Sequence, residues 1–135
     1  MAAQGRREPR FAVRISASVW REEVERYGEG SEARLAAERE RPRLERHGLA
    51  VGQLEPCAEL GPGGTRLKGL VKAYVPISGA VASERPFGFV FDGGRDQEGP
   101  YLALVAFGER HPQRPATRSV YDRAHRRRYG RYPDQ

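Results

Sequence analysis

The residues of this chain that could carry chemistry are concentrated near its C-terminal end. Residues 110–135 contain eight arginines and two aspartates, so this segment accounts for the whole net charge of +6. Tyr121, His125 and Tyr129 follow one another at intervals of four, which places their rings on one face of a helix. Guanidinium groups bind phosphates and aromatic rings stack on unpaired bases, so the pattern is typical of a protein that binds single-stranded nucleic acid. The candidate binding residues on and beside this helix are Arg118, Tyr121, His125, Arg126, Arg127, Arg128 and Tyr129.

The same helix also has a purely structural interpretation. Val120, Tyr121 and Ala124 would then pack the helix against a sheet, and the arginines would face solvent. The spacing alone leaves both interpretations open.

Composition excludes several other kinds of chemistry. The single cysteine, Cys57, cannot form an internal disulfide or a cysteine zinc cluster, and the three histidines lack metal-ligand spacing. We therefore expect neither a metal nor an organic cofactor. The longest apolar stretch, residues 101–107, is too short to span a membrane. The charged first ten residues are not followed by an apolar segment, so we expect no secretory signal and a cytoplasmic location.

The length of 135 residues suits a single domain over residues 1–135, with flexible ends at residues 1–10 and 131–135. Alternation of apolar with other residues predicts a strand over residues 11–15. Three later apolar runs predict strands over residues 66–77, 87–91 and 101–107. The second of these runs places three phenylalanines on one strand face. The Gly- and Asp-containing segment between the last two runs, residues 92–100, predicts a loop that joins them as a hairpin.

Two helices are predicted between the first strand and the later ones. Ser18 is the predicted N-cap of the first helix, with Glu22 and Glu23 in its first turn, where the helix dipole favours anions. Ser31 begins the second helix, and Pro42 either kinks or ends it.

A final helix begins at Ser119, which forms a capping pair with Asp122, and it stops at Gly130. The predicted order is therefore an N-terminal strand, two helices, an antiparallel three-strand meander and a C-terminal helix. This is an α+β fold.

Three short strings resemble toxins of the RelE/HigB/ParE superfamily from type II toxin–antitoxin systems. They are RLKGL at residues 66–70, RPFGFVFD at residues 85–92, and LALVAF at residues 102–107 followed by GERH. Their order and spacing are similar to those of the family over roughly residues 11–130. The resemblance implies a compact RelE-like fold in which a concave sheet face and the last helix form a basic cleft.

In the RNA-cleaving members of this superfamily the toxin enters the ribosomal decoding site and cuts mRNA there, using the 2′-hydroxyl of the RNA. The resemblance implies that Arg110 stabilises the transition state and that Tyr121 or His125 exchanges protons, with His111 as a second candidate. It implies phosphate contacts from Lys68 and Lys72, and Arg85 joins the RNA-binding residues. The implied partners are a cognate antitoxin, mRNA and the ribosome, with no membrane.

The sequence departs from the family pattern at one informative position. Gly88 stands where family members commonly have an arginine inside the middle strand. Arg85 lies three residues earlier, and an odd offset on a strand places a side chain on the opposite face. Two alternatives to an mRNA endonuclease therefore stay open: a ParE-like gyrase inhibitor and a non-catalytic basic module that binds RNA or DNA.

Overall fold

The computed structural model describes residues 10–50, 52, 54–56, 70–75, 87–112, 114 and 117–129. Over these ranges the chain forms six strands and three helices, so the predicted α+β class is confirmed. The strands are β1 (Arg10–Arg14), β2 (Leu49–Ala50), β3 (Glu55–Pro56), β4 (Leu70–Tyr74), β5 (Phe87–Asp96) and β6 (Gly99–Glu109). The helices are α1 (Ala17–Glu23), α2 (Glu32–His47) and α3 (Val120–Tyr129). The predicted flexible ends lie outside the described residues, apart from Arg10.

The strands form one mixed sheet in the order β2-β1-β6-β5-β4-β3. Strand β1 runs parallel to β6, whereas β4, β5 and β6 pair in antiparallel succession. The two-residue strands β2 and β3, which the sequence analysis did not predict, extend the sheet at its two edges.

The loop predicted over residues 92–100 is wrong, because both strands of the hairpin are longer. Strand β5 continues to Asp96, β6 begins at Gly99, and only two residues form the turn. Gly94 is a strand residue here, and the ring of Tyr101 on β6 covers the place where a side chain at Gly94 would stand. The turn is formed instead where the Asp96 side chain accepts a hydrogen bond from the backbone of Glu98 and Gly99 adopts a positive φ of 115°.

The predicted start of the first helix is also wrong. Ser16, rather than Ser18, is the N-cap, and its hydroxyl accepts a hydrogen bond of 3.2 Å from the backbone N–H of Val19. Glu22 and Glu23 therefore lie near the C-terminal end of α1 and not in its first turn. Their carboxylates are stabilised by partners elsewhere in the chain, not by the helix dipole.

The second helix begins as predicted, with Ser31 as its N-cap. The expectation that Pro42 could end this helix is wrong, because α2 continues through Pro42 to His47. The residues after Pro42 are held by packing and by a cap. Leu44 is buried, and its carbonyl accepts a hydrogen bond from the N–H of Gly48, whose φ is +65°.

The helices cover opposite faces of the sheet. Trp20 and Leu44 from the first two helices pack with Phe89, Phe91 and other apolar residues on one face. Val120 and Ala124 of α3 pack with a second apolar cluster on the other face, which includes Leu70, Val90 and Ala106. Within the described part of the chain, no helix has the length and apolarity needed to cross a membrane.

Candidate functional site

Five side chains from separate parts of the chain meet on the sheet face that carries α3. We call them the basic–aromatic cluster: Lys72 and Tyr74 of β4, Arg110 and His111 after β6, and Tyr121 of α3. Lys72 and Tyr74 lie two residues apart on a strand, so they share a face with Leu70, which packs against α3. Tyr74 pairs with Gly88, and Gly88 pairs with Gly108, so the sheet register brings the end of β6 to this position.

The two cations of the cluster contact its two tyrosine rings. The guanidinium carbon of Arg110 lies 3.9 Å from the ring centre of Tyr74, and Arg110 Nε donates a 3.3 Å hydrogen bond to the hydroxyl of Tyr121. Lys72 Nζ lies 5.2 Å from the ring centre of Tyr121 and 5.7 Å from that of Tyr74. These distances are within the range of cation–π attraction, which helps to hold both side chains in place.

His111 lies at the outer side of the cluster. Its ring centre is 6.3 Å from that of Tyr121, and the residue is exposed. An imidazole in this position can exchange protons with a ligand held between Lys72 and Arg110.

The side chain of Arg110 lies beside Gly88 of β5, the strand position at which the toxin superfamily commonly has an arginine. A Cβ atom built on Gly88 would lie 3.4 Å from Cγ of Arg110 and 3.7 Å from its Cδ. A long side chain at residue 88 would therefore displace Arg110. The glycine lets the side chain of Arg110 lie across the sheet and reach Tyr74.

The position of Tyr74 is supported by a carboxylate of the edge strand. Glu55 on β3 is the register partner of Lys72, and its carboxylate accepts a hydrogen bond from the hydroxyl of Tyr74. This hydrogen bond raises the pKa of Tyr74, and partial burial raises it further, while the charges of Arg110 and Lys72 act in the opposite direction. Tyr74 therefore stays protonated and oriented beneath Arg110.

The arginines before and along α3 form ion pairs with carboxylates of the fold. Arg118 and Arg126 both donate to Asp122, at 2.8 and 2.9 Å. Burial acts to raise the pKa of Asp122, but these two hydrogen bonds outweigh it and the pKa is lowered. Arg128 donates to Asp92 of β5 at 2.6 Å.

A second group of ion pairs joins α3 to α1 around a buried carboxylate. Glu23 is fully buried and accepts from Arg123 at 2.7 and 2.8 Å, and from Arg127 at 3.0 Å. Its Oε1 also accepts a hydrogen bond of 3.1 Å from the backbone N–H of Phe107. Strand β1 pairs with β6 only at residues 101–103 of β6, so it does not reach Phe107. The carboxylate of Glu23 accepts the hydrogen bond of the Phe107 N–H instead. Arg127 also contacts Glu22 at 3.0 Å.

The net pKa shift of Glu23 reflects competition between two effects. Burial acts to raise the pKa, whereas the hydrogen bonds and charges of Arg123 and Arg127 lower it and prevail. The lowered pKa favours the charged carboxylate, which links α3 to β6 and α1.

The predicted site residues thus fall into separate groups. The structure brings Lys72, Arg110, His111 and Tyr121 together, whereas Arg118, Arg126, Arg127 and Arg128 form the ion pairs above. His125 is half-buried on α3 and Tyr129 ends that helix. Lys68 and Arg85 lie outside the described residues.

Sequence reasoning missed two members of this site. Tyr74 could have been found from its i, i+2 spacing with Lys72 on a predicted strand, which places both side chains on one face. Glu55 carried no local signal, because its role depends on the pairing of β3 with β4. No group of three or more His, Cys, Asp or Glu side chains among the described residues is arranged to hold a metal ion.

Comparison of the chain with protein-family models, with curated protein sequences and with solved structures gives no significant match.

Proposed function

We propose that this protein binds single-stranded RNA on the sheet face beside α3 and cleaves it, as the toxin of a toxin–antitoxin pair. The observation that carries the proposal is the basic–aromatic cluster itself. Two cations from β4 and the end of β6 contact the tyrosine rings of β4 and α3, and the ring centre of the exposed His111 lies 6.3 Å from that of Tyr121.

The composition of the cluster favours RNA as the ligand. Lys72 Nζ and the guanidinium carbon of Arg110 lie 5.7 and 3.9 Å from the ring centre of Tyr74, so the cluster offers two cations to the phosphates of an RNA strand. Base–aromatic stacking contributes roughly 1–3 kcal/mol for each unpaired base, and the half-buried rings of Tyr74 and Tyr121 supply aromatic surface for such contacts. A duplex would hide its base faces from these rings, so the predicted substrate is single-stranded.

The cluster also contains the groups that RNA cleavage requires. The 2′-oxygen attacks the adjacent phosphorus, a new P–O2′ bond forms and the P–O5′ bond breaks, which leaves a 2′,3′-cyclic phosphate and a free 5′-hydroxyl. In our proposal His111 accepts the proton of the 2′-hydroxyl and the hydroxyl of Tyr121 supplies a proton to the departing 5′-oxygen. Arg110 and Lys72 stabilise the additional negative charge on the phosphate oxygens as it develops. The step consumes no redox equivalent and needs no further reactant.

Expression in a bacterial host tests the proposal in cells. We expect growth arrest with new transcript ends that carry a 5′-hydroxyl, and we expect Arg110→Ala and His111→Ala to relieve the arrest. Arg39→Ala is the matched control, because it removes one exposed positive charge from α2, away from the cluster.

Two outcomes would contradict the proposal. Normal growth with intact transcripts at high expression would exclude a toxic nuclease. Arrest with intact RNA and failed DNA supercoiling would indicate gyrase inhibition instead. In the proposed toxin, a cognate antitoxin would cover the cluster, and the ribosome would present the mRNA to it.

A further inference from the structure

A cavity of about 400 Å³ lies between the C-terminal half of α2 and the outer edge of β4. Its apolar wall is formed by Leu44, Leu49, Ala73 and Phe89, all buried core residues. The volume is within the range of roughly 300–1,000 Å³ that is typical of small-molecule pockets.

The position of the cavity follows from the short strand at the edge of the sheet. Within the described residues, β3 pairs with β4 only at Val71 and Lys72, so it does not cover the next two residues, Ala73 and Tyr74. Lys72, Ala73 and Tyr74 at this edge line the cavity, together with Gly52 and Glu55.

Two residues belong both to this cavity and to the basic–aromatic cluster. Lys72 and Tyr74 line the cavity, and they also contact Tyr121 and Arg110 on the α3 face. A nucleotide whose phosphate is bound by Lys72 is therefore adjacent to an apolar recess that can receive its base.

The rim of the cavity carries a donor and an acceptor side by side. Arg43 Nη2 and a carboxylate oxygen of Glu40 are 3.7 Å apart, which is longer than a hydrogen bond. Both side chains line the cavity, and the side chain of Glu40 is 21% exposed. A ligand group can therefore bind both of them without first breaking a strong ion pair.

This rim matches the Watson–Crick edge of guanine better than that of any other base. Guanine presents two parallel N–H donors, which a carboxylate accepts in a bidentate arrangement, next to the O6 acceptor, which a guanidinium can bind. Uracil presents one N–H between two carbonyl oxygens, so one oxygen would face the carboxylate. Adenine and cytosine each offer only one exocyclic amino group on this edge.

We propose that the cavity binds a guanine base of the RNA whose phosphate lies at Lys72. Glu40 accepts from the guanine N–H groups, Arg43 donates to O6, and the apolar wall packs against the ring. This assignment rests on the proposed function, because it treats the cluster as the phosphate site, and it adds the base that the site selects.

Binding of free nucleotides to the full-length protein tests the assignment separately from cleavage. We expect guanosine 5′-monophosphate to bind at least about tenfold more tightly than uridine 5′-monophosphate, as a charged bidentate contact requires. Glu40→Gln should remove most of this preference by weakening the binding of guanosine 5′-monophosphate, without weakening that of uridine 5′-monophosphate, whose carbonyl oxygen no longer faces a carboxylate. Glu38→Gln is the control, because this exposed residue of α2 pairs with Arg34 and does not line the cavity.

A second variant tests the cavity by filling it. Ala73→Leu places additional side-chain volume against the apolar wall and should weaken guanosine monophosphate binding while circular dichroism shows a retained fold. Glu40→Gln alters only the rim, so it decides the question if Ala73→Leu fails to fold.

The outcomes separate the two proposals. Equal binding of the two nucleotides, no nucleotide binding, or equal effects of Glu40→Gln and Glu38→Gln would overturn the guanine assignment, while cleavage of RNA would leave the proposed function standing. A guanine preference without any binding of RNA would overturn the proposed function and assign the cavity to a free nucleotide.

Discussion

Replacement of Glu23 by glutamine tests whether the buried carboxylate fixes α3. The Glu23 carboxylate accepts hydrogen bonds from Arg123 Nε and Nη2, from Arg127 Nη2 and from the backbone of Phe107. Glutamine keeps the shape but removes the charge and directs an amide N–H₂ group toward guanidinium donors.

The magnitude follows from the burial of the three side chains. Breaking a buried ion pair by removing one partner costs about 3–5 kcal/mol. The side chains of Arg123 and Arg127 are 20% and 19% exposed, so water can partly solvate them after the change. We therefore expect Glu23→Gln to lower the free energy of unfolding by about 3 kcal/mol, at the lower end of that range.

Glu22→Gln is the matched control for this measurement. Glu22 is the neighbouring residue in α1, its side chain is 56% exposed, and its carboxylate accepts a hydrogen bond of 3.0 Å from Arg127. Its replacement should cost no more than about 0.5 kcal/mol. Urea unfolding at pH 7, followed by far-UV circular dichroism, measures both variants, with equal urea dependence showing that the unfolded states are comparable.

The pH dependence gives a second readout of the same interaction. Because the pKa of Glu23 is lowered in the folded protein, its contribution to stability is complete above the unfolded value of about 4.3 and is lost as the pH falls through the folded value. The stability difference between wild type and Glu23→Gln should therefore shrink in acid. Equal destabilisation by Glu22→Gln and Glu23→Gln would show that the buried carboxylate does not fix α3. A stability difference between wild type and Glu23→Gln that stays constant in acid would show the same.

Three further predictions concern the fold and the cluster. Gly48→Ala should lower the free energy of unfolding by at least about 2 kcal/mol, because φ is +65° and the new Cβ would collide with the carbonyl of Phe11. Gly28→Ala is the control: the space around Gly28 is open, so the change in thermal unfolding should stay within about 0.5 kcal/mol. Lys72→Met should weaken binding of single-stranded RNA and reduce the slope of log affinity against log salt concentration by about 1. An unchanged slope, or an equal change of slope in the control Arg39→Ala, would contradict a phosphate contact at Lys72. Glu55→Gln should bring the pKa of Tyr74 back toward its ordinary value, because the hydrogen bond to the Glu55 carboxylate is the main cause of its increase. A spectrophotometric titration, with Tyr74→Phe identifying the signal of this tyrosine, measures the pKa. An unchanged pKa in Glu55→Gln would exclude that cause.

Local sequence signals were sufficient for the elements that local interactions define. Ser31 and Ser119 accept hydrogen bonds from the N–H groups three residues later, as expected of caps. Phe87, Phe89 and Phe91 share one apolar cluster, as their alternation predicts. These patterns depend on neighbours within a turn or along one strand, so the chain order alone contains them.

Interactions between distant residues were not predictable in the same way. Glu23 was assigned to the first turn of a helix, but its partners are 100 and 104 residues away on α3. The predicted hairpin loop, residues 92–100, contains the observed turn but is too long, because Gly93 and Gly94 are typical of loops in sequence whereas here they are strand residues, with Tyr101 of the partner strand covering Gly94. Strands β2 and β3 have two residues each, which is too short for a periodic pattern.

The fold changes how the net charge of the C-terminal segment is interpreted. Counting along the chain assigns the excess of +6 to the C-terminal segment and a neutral balance to the rest. In the fold, Arg127 and Arg128 pair with Glu22, Glu23 and Asp92 of that neutral part. The proposed RNA site is therefore placed at Lys72 and Arg110, beside the rings of Tyr74 and Tyr121, and is not inferred from the number of arginines on α3.

Whether the protein cleaves single-stranded RNA is tested most directly by incubating a labelled RNA strand with the purified protein, with and without ribosomes. The same strand made of DNA is incubated in parallel. The account predicts RNA fragments that end in a 2′,3′-cyclic phosphate or the derived 3′-phosphate, an intact DNA strand, and loss of cleavage in Arg110→Ala and His111→Ala but not in Arg39→Ala. Intact RNA under both conditions, cleavage of the DNA strand, or wild-type rates in the Arg110 and His111 variants would contradict it.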